Sequence, residues 1–217
     1  MKTRLTSKSF AATALAAVAV VSIAAVAVAG PGGKDNGKGK PAATTTTAPQ
    51  PPPPPSTANE ADAEFVRMMI PHHHQALIMS RLAPERTTNP DLLALTGRID
   101  AEQTVEIGTM QQWQEFFGFD VTHPVTAYEM MMGNPMMIEM MGMATQAELD
   151  QLETLSGSAF DQLFLQLMID HHQGAVDMCV DVMSNGQEPV LQSMANDMLT
   201  TQSTQIHQME AMLAEVG

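Results

Sequence analysis

Two segments of the chain set imidazole and thioether side by side: Met69-Ile70-Pro71-His72-His73-His74 and Met168-Ile169-Asp170-His171-His172-Gln173. Successive residues of a helix point about 100° apart, so adjacent histidines do not readily share one ion through their own helix. Residues three or four positions apart do share a face. Met69 stands three before His72 and four before His73, and Met168 holds the same relation to His171 and His172. Each segment thus offers nitrogen and sulfur donors on one surface. Thioether sulfur is soft and favours Cu(I), whereas imidazole accepts copper, zinc, iron or nickel. The donor set points to copper, Cu(I) in preference, and leaves other transition metals open.

The two segments are copies. Adding 99 to a residue number in the first half reaches its counterpart in the second: Asp62 and Asp161, Phe65 and Phe164, Ala76 and Ala175, Met79 and Met178, Gln103 and Gln202, Met110 and Met209. A repeat of this kind is one supersecondary unit used twice. Within it, Phe65, Met69, His72, Ala76 and Met79 recur at helical spacing. Asn59 with Glu60 and Asp62 reads as the start of that helix. Pro71 should kink it, and the segment from Pro84 to Asn89 should break it. Pro90 opens a second helix with an inner face of Leu92, Leu95, Ile99, Gln103, Ile107 (or Glu106), Met110, Trp113 and Phe117, and Gly118 ends it. The second copy repeats the pattern, with Pro189 opening its last helix. Short connections make each pair an antiparallel hairpin, and no strand pattern appears. The expected fold is all-α: a four-helix bundle of two sequence-related hairpins spanning residues 59–217.

If a pseudo-twofold axis relates the hairpins, His72 and His171 meet across it, near Gln103, Gln202, Met110 and Met209. Gln103 and Gln202 would then orient the rings from the facing helices. The competing reading of the His-His pairs is two buried, hydrogen-bonded core histidines, because duplication copies structure and function alike. Met79, Met110, Met178 and Met209 lie at core spacing, and methionine readily fills gaps there. Residues 123–143 between the copies are unusual. Met130, Met131, Met132, Met136, Met137, Met140, Met141 and Met143 crowd 14 positions, interrupted by Gly133, Asn134 and Pro135. Such a stretch is either a metal-capturing loop, with Met130, Met136, Met140 and Met143 as donors, or an adaptable apolar lid. Thr145-x-x-Glu148 is a capping box for a short helix through Leu155. Cys179, the only cysteine, excludes an internal disulfide and reads as a small buried residue. His123 and His207 have no repeat counterpart and read as surface residues.

The runs Met69-Ile70-Pro71-His72-His73 and Met168 through Ala175, with Met141-Gly142-Met143-Ala144-Thr145 between them, resemble the secreted bacterial domain of unknown function 305. The resemblance covers residues 59–217. It implies a ferritin-like bundle with the His-His pairs as the functional feature, and some relatives are associated with copper binding and tolerance. His74 and Asp170, the latter where the first copy has Pro71, depart from strict equivalence of the halves.

The tails speak to location. Lys2, Arg4 and Lys8 precede an uncharged run from Phe10 to Ala29 that ends Ala27-Val28-Ala29, the form of an export signal. Uncleaved, it is long enough to anchor the chain in a membrane. Residues 30–58, rich in threonine and proline, read as a disordered spacer. Beyond it, four arginines against 23 acidic residues, with no lysine, leave a formal charge of −19. That excludes nucleic acid and anionic membrane surfaces as partners and suits cations. The metal ion is the expected partner, with another envelope protein as an alternative.

Three functions compete: copper sequestration or handover, a redox enzyme using the same histidines with Glu102, Glu106 or Asp170, and a metal-free interaction module. A di-iron ferroxidase needs Glu-x-x-His motifs, and a zinc protease needs His-Glu-x-x-His. The sequence contains neither.

Overall fold

A computed structural model describes residues 57–216, so the export signal and nearly all of the spacer lie outside the described residues. Four long helices form two hairpins: α1 (Glu60–Arg86) with α2 (Pro90–Phe117), and α6 (Ser158–Asn185) with α7 (Pro189–Val216). Each hairpin packs along its length, and the two meet chiefly through α1 and α6. The connection between them holds α3 (Pro124–Met132), α4 (Pro135–Met140) and α5 (Gln146–Thr154). Among the described residues there is no strand, and no helix is long and apolar enough to cross a membrane.

The helix starts follow local chemistry. Asn59 and Asp62 form a reciprocal capping box on α1, and Thr145 and Glu148 form another on α5. Asn89 caps α2, with Pro90 in its first turn, and Gly118 ends α2 in the left-handed region at φ 76°. Asp62 is fully buried. Its carboxylate also accepts from the backbone N–H of Gln187 and Glu188, tying the start of α1 to the α6–α7 turn.

The expected break from Pro84 to Asn89 is corrected: α1 continues through Pro84 to Arg86. A proline in the last turn forfeits one hydrogen bond near an end that frays anyway, and fully buried Ala83 anchors the turn. The methionine-rich connection is helical rather than open. His123 and Asn134 accept at the starts of α3 and α4, each followed by a proline, so the same residues that interrupt a long helix begin two short ones. His123 is exposed, as expected, but has this capping role.

Two apolar clusters fill the bundle. One holds Met79, Leu92, Leu95, Ile99, Phe160, Phe164, Met168 and Met209. The other holds Phe65, Met69, Met110, Trp113, Ala175, Leu191 and Met198. Every long helix passes from one cluster to the other through buried polar residues: His72 and His73 on α1, Gln103 on α2, His171 and His172 on α6, Gln202 on α7. A polar layer thus crosses the middle of an otherwise apolar core.

Candidate metal centre

The four histidines of this layer are fully buried, and their surroundings fix which ring nitrogen carries hydrogen. His72 Nε2 lies 3.0 Å from the carbonyl oxygen of Met141, and His171 Nε2 lies 2.9 Å from that of His72. A carbonyl oxygen can only accept, so both Nε2 atoms donate. His73 Nε2 donates to the Glu106 carboxylate at 2.7 Å. His172 Nε2 lies 2.8 Å from Gln205 Oε1, and the same amide donates its Nε2 to Glu102 at 2.7 Å, so its oxygen faces the ring. His72, His171 and His172 are thereby Nε2–H tautomers, which leaves the lone pair on Nδ1.

None of the four Nδ1 atoms makes a hydrogen bond of good geometry, although the Met168 carbonyl also approaches the His172 ring. Gln103 and Gln202 present both amide atoms to the layer, also without partners. Among the described residues, eleven buried side-chain nitrogen and oxygen atoms are unpartnered, and eight belong to these six residues. Each such atom costs about 1–3 kcal/mol when buried, so their concentration in one layer calls for a partner that the protein's own atoms do not supply.

Burial holds the His72, His171 and His172 rings neutral. Desolvation, with the neighbouring His73 imidazole second, lowers His72 to about 3 despite its bond to Met141. Desolvation likewise lowers His172 to about 4 and takes His171 well below its ordinary value. A neutral imidazole whose Nε2–H is held by an acceptor is the form in which histidine binds metal through Nδ1.

The His72 and His171 rings stack at 3.7 Å between centroids, tilted by 31°. That spacing leaves no room for an ion between the planes, so an ion would be taken at the ring edges. His73 and His172 stand 6.3 Å and 6.1 Å from their neighbours. Met69 and Met168 are also fully buried, one in each apolar cluster. Among the described residues no three His, Cys, Asp or Glu side chains converge to hold an ion by themselves. A centre here would rest on few nitrogens supplemented by sulfur, the low-coordinate, soft chemistry of a monovalent ion.

The remaining expected residues divide. Met79, Met110 and Met209 are fully buried in the apolar clusters, and Met143 is buried in a third cluster with Met131, Ile138 and Met141. Met130, Met136 and Met140 are 75%, 77% and 70% exposed and stand outside the layer. His74 is half-buried with its ring against Tyr128. Met178 is half-buried at a surface cleft. The orienting role expected of Gln103 and Gln202 is corrected: neither bonds to a ring, and Glu106 and Gln205, three residues further along each helix, hold His73 and His172 instead. Gln205 was not singled out from the sequence. The repeat register signals it, because Glu106 plus 99 is 205. Burial pushes the Cys179 thiol up to about 12, so it stays un-ionised.

The sequence pattern of the family described as Domain of unknown function (DUF305) matches residues 62–213. The chain belongs to this family. A DUF305 fragment from Deinococcus radiodurans is similar at 30% identity and a TM-score of 0.65, over 74% of this chain and 99% of the other. A DUF305 protein of Streptomyces coelicolor, named as a candidate secreted protein, matches at 32% identity and a TM-score of 0.63, over 72% and 94%. CopM in its Cu(I)-bound form matches at 30% identity and a TM-score of 0.56, over 71% and 96%. Among curated proteins, none is significantly similar to this chain.

Proposed function

We propose that this DUF305 protein is an exported copper-binding protein that sequesters or hands over Cu(I) from its buried histidine layer. The observation that carries the reading is the set of four unpartnered Nδ1 atoms on fully buried histidine rings. His72 and His171 would supply nitrogen, with His73 and His172 beside them and Met69 and Met168 as the soft donors. CopM, similar in fold and sequence, is known in Cu(I)-bound, Cu(II)-bound and silver-bound forms, which supports copper, and the preference for Cu(I) rests on the soft thioether donors. Complete burial favours holding an ion over turning over a substrate, because an enzyme needs an open coordination position that substrate can reach. The amino-terminal segment supports export.

Anaerobic titration against a chromophoric Cu(I) chelator tests this. The native chain should saturate at a small whole number. His72→Ala combined with His171→Ala should abolish the tightest binding while circular dichroism of the metal-free protein stays helical. Unchanged affinity in that variant would remove the assigned centre.

A further inference from the structure

The methionines of the connection do not join the histidine layer, yet they are not scattered. A cleft of about 400 Å³ opens between α1, α4 and α6. Met68 of α1, Met137 and Met140 of α4, Met141 at the end of α4, and Met178 of α6 all line it. Five methionines of α1, α4 with its C-cap, and α6 thus line one solvent-open space. Glu64, Asp177 and Asp181 line the same cleft and make its field attractive to cations. Ordinary apolar packing accounts for the inward face of this cluster, where Met131, Ile138, Met141 and Met143 are buried. It does not account for Met140, which is 70% exposed at the cleft.

The cleft is also joined to the core. Met141 is among the residues that line it, and its backbone oxygen accepts from His72 Nε2. The backbone beside Met141 is pressed onto α6: a Cβ on Gly174 would lie 1.8 Å from the Met141 oxygen, and one on Gly142 would lie 2.2 Å from that of Asp170. Gln75 clamps Ala144, three residues after Met141, by donating to its oxygen at 2.8 Å and accepting from its N–H at 2.7 Å. One residue thereby belongs both to the thioether cleft and to the hydrogen bond that orients a core imidazole.

The geometry points to this cleft as a second, surface binding site for a soft monovalent cation, from which the ion passes to the histidine layer. Thioethers bind Cu(I) and Ag(I) without needing deprotonation, and exposed sulfur exchanges ligands more readily than a buried centre. The transfer clause rests on the copper reading above; the cleft site itself does not.

The test uses the full chain with methionine methyl groups labelled with carbon-13, titrated with Ag(I) as a redox-inert probe. The methyl signals of Met68, Met137, Met140 and Met178 should shift before those of Met136 and Met130, exposed methionines outside the cleft. Changing Met137, Met140 and Met178 together to leucine, which keeps apolar volume, should remove at least one bound Ag(I) and slow loading of the histidine layer several-fold. Imidazole signals report that layer separately, so failure at either place is seen independently. Equal shifts of all exposed methionines at the same Ag(I) ratio would overturn the proposal. So would shifts confined to the imidazoles, Met69 and Met168, or unchanged Ag(I) stoichiometry in the leucine variant.

Discussion

At the scale of single residues, the centre depends on what holds each Nε2. Glu106 and Gln205 occupy equivalent positions in the two repeats, and both accept from a histidine. A carboxylate in one copy and an amide in the other do the same geometric work. Replacing Glu106 with alanine frees the His73 ring and should lower Cu(I) affinity about 10–100-fold, the usual cost of losing a ligand's hydrogen-bond partner. Glu106→Gln, which copies the other half, should bind within a few-fold of the native chain. Competitive chelator titration of the two variants checks this, and equal losses in both would show that charge rather than acceptance matters. The buried layer of four histidines was legible in the sequence, because spacing and repetition mark them. Which ring nitrogen is free was not, since it turns on a carbonyl 69 residues away. The misplaced role of Gln103 has the same origin: helical periodicity puts Gln103 and Glu106 on nearly one face, and only packing shows which reaches a ring.

At the scale of elements, the strap from Met141 to Ala144 has no counterpart in the repeat and makes the halves inequivalent. His72 donates to it, whereas His171 donates to the backbone of α1. Its position requires the backbones at Gly142 and Gly174 to touch. Gly174→Ala should therefore displace the strap and destabilise the fold by about 1–3 kcal/mol, the range for overpacked sites. Amide hydrogen exchange should show lost protection at Ala144, whose N–H is bonded to Gln75. A Gly174→Ala protein as stable as the native one would mean that the strap is free to shift. The long helices were legible from their caps, prolines and stripes. The end of α1 was misjudged because a proline in a last turn costs little when the preceding residue is buried. The two short helices were harder to see, since glycine, asparagine and proline mark both where a helix stops and where one starts.

At the scale of the whole molecule, the repeat places a polar layer between two apolar clusters, and stability and binding meet there. The unfolded chain takes up protons on these imidazoles near pH 6.5, whereas His72 does so near 3 and His172 near 4 in the fold, with His171 also well below its ordinary value. Between those limits the unfolded state holds more protons, so folding weakens as pH falls from about 6.5 towards 4. The slope is up to about 1.4 kcal/mol per pH unit for each such histidine. Urea unfolding of the metal-free protein at pH 7.5, 6 and 5 should show that fall. His207→Ala, at an exposed position, should leave it unchanged, and a stability flat across the range would contradict neutral burial. The account as a whole rests on the four Nδ1 atoms, which nitrogen-15 spectra of the histidine rings read directly as Ag(I) or Cu(I) is added. Displacement of the Nδ1 signals of His72 and His171, with every Nε2 still protonated, is the predicted result. Unmoved Nδ1 signals in a protein carrying its full complement of metal would contradict it.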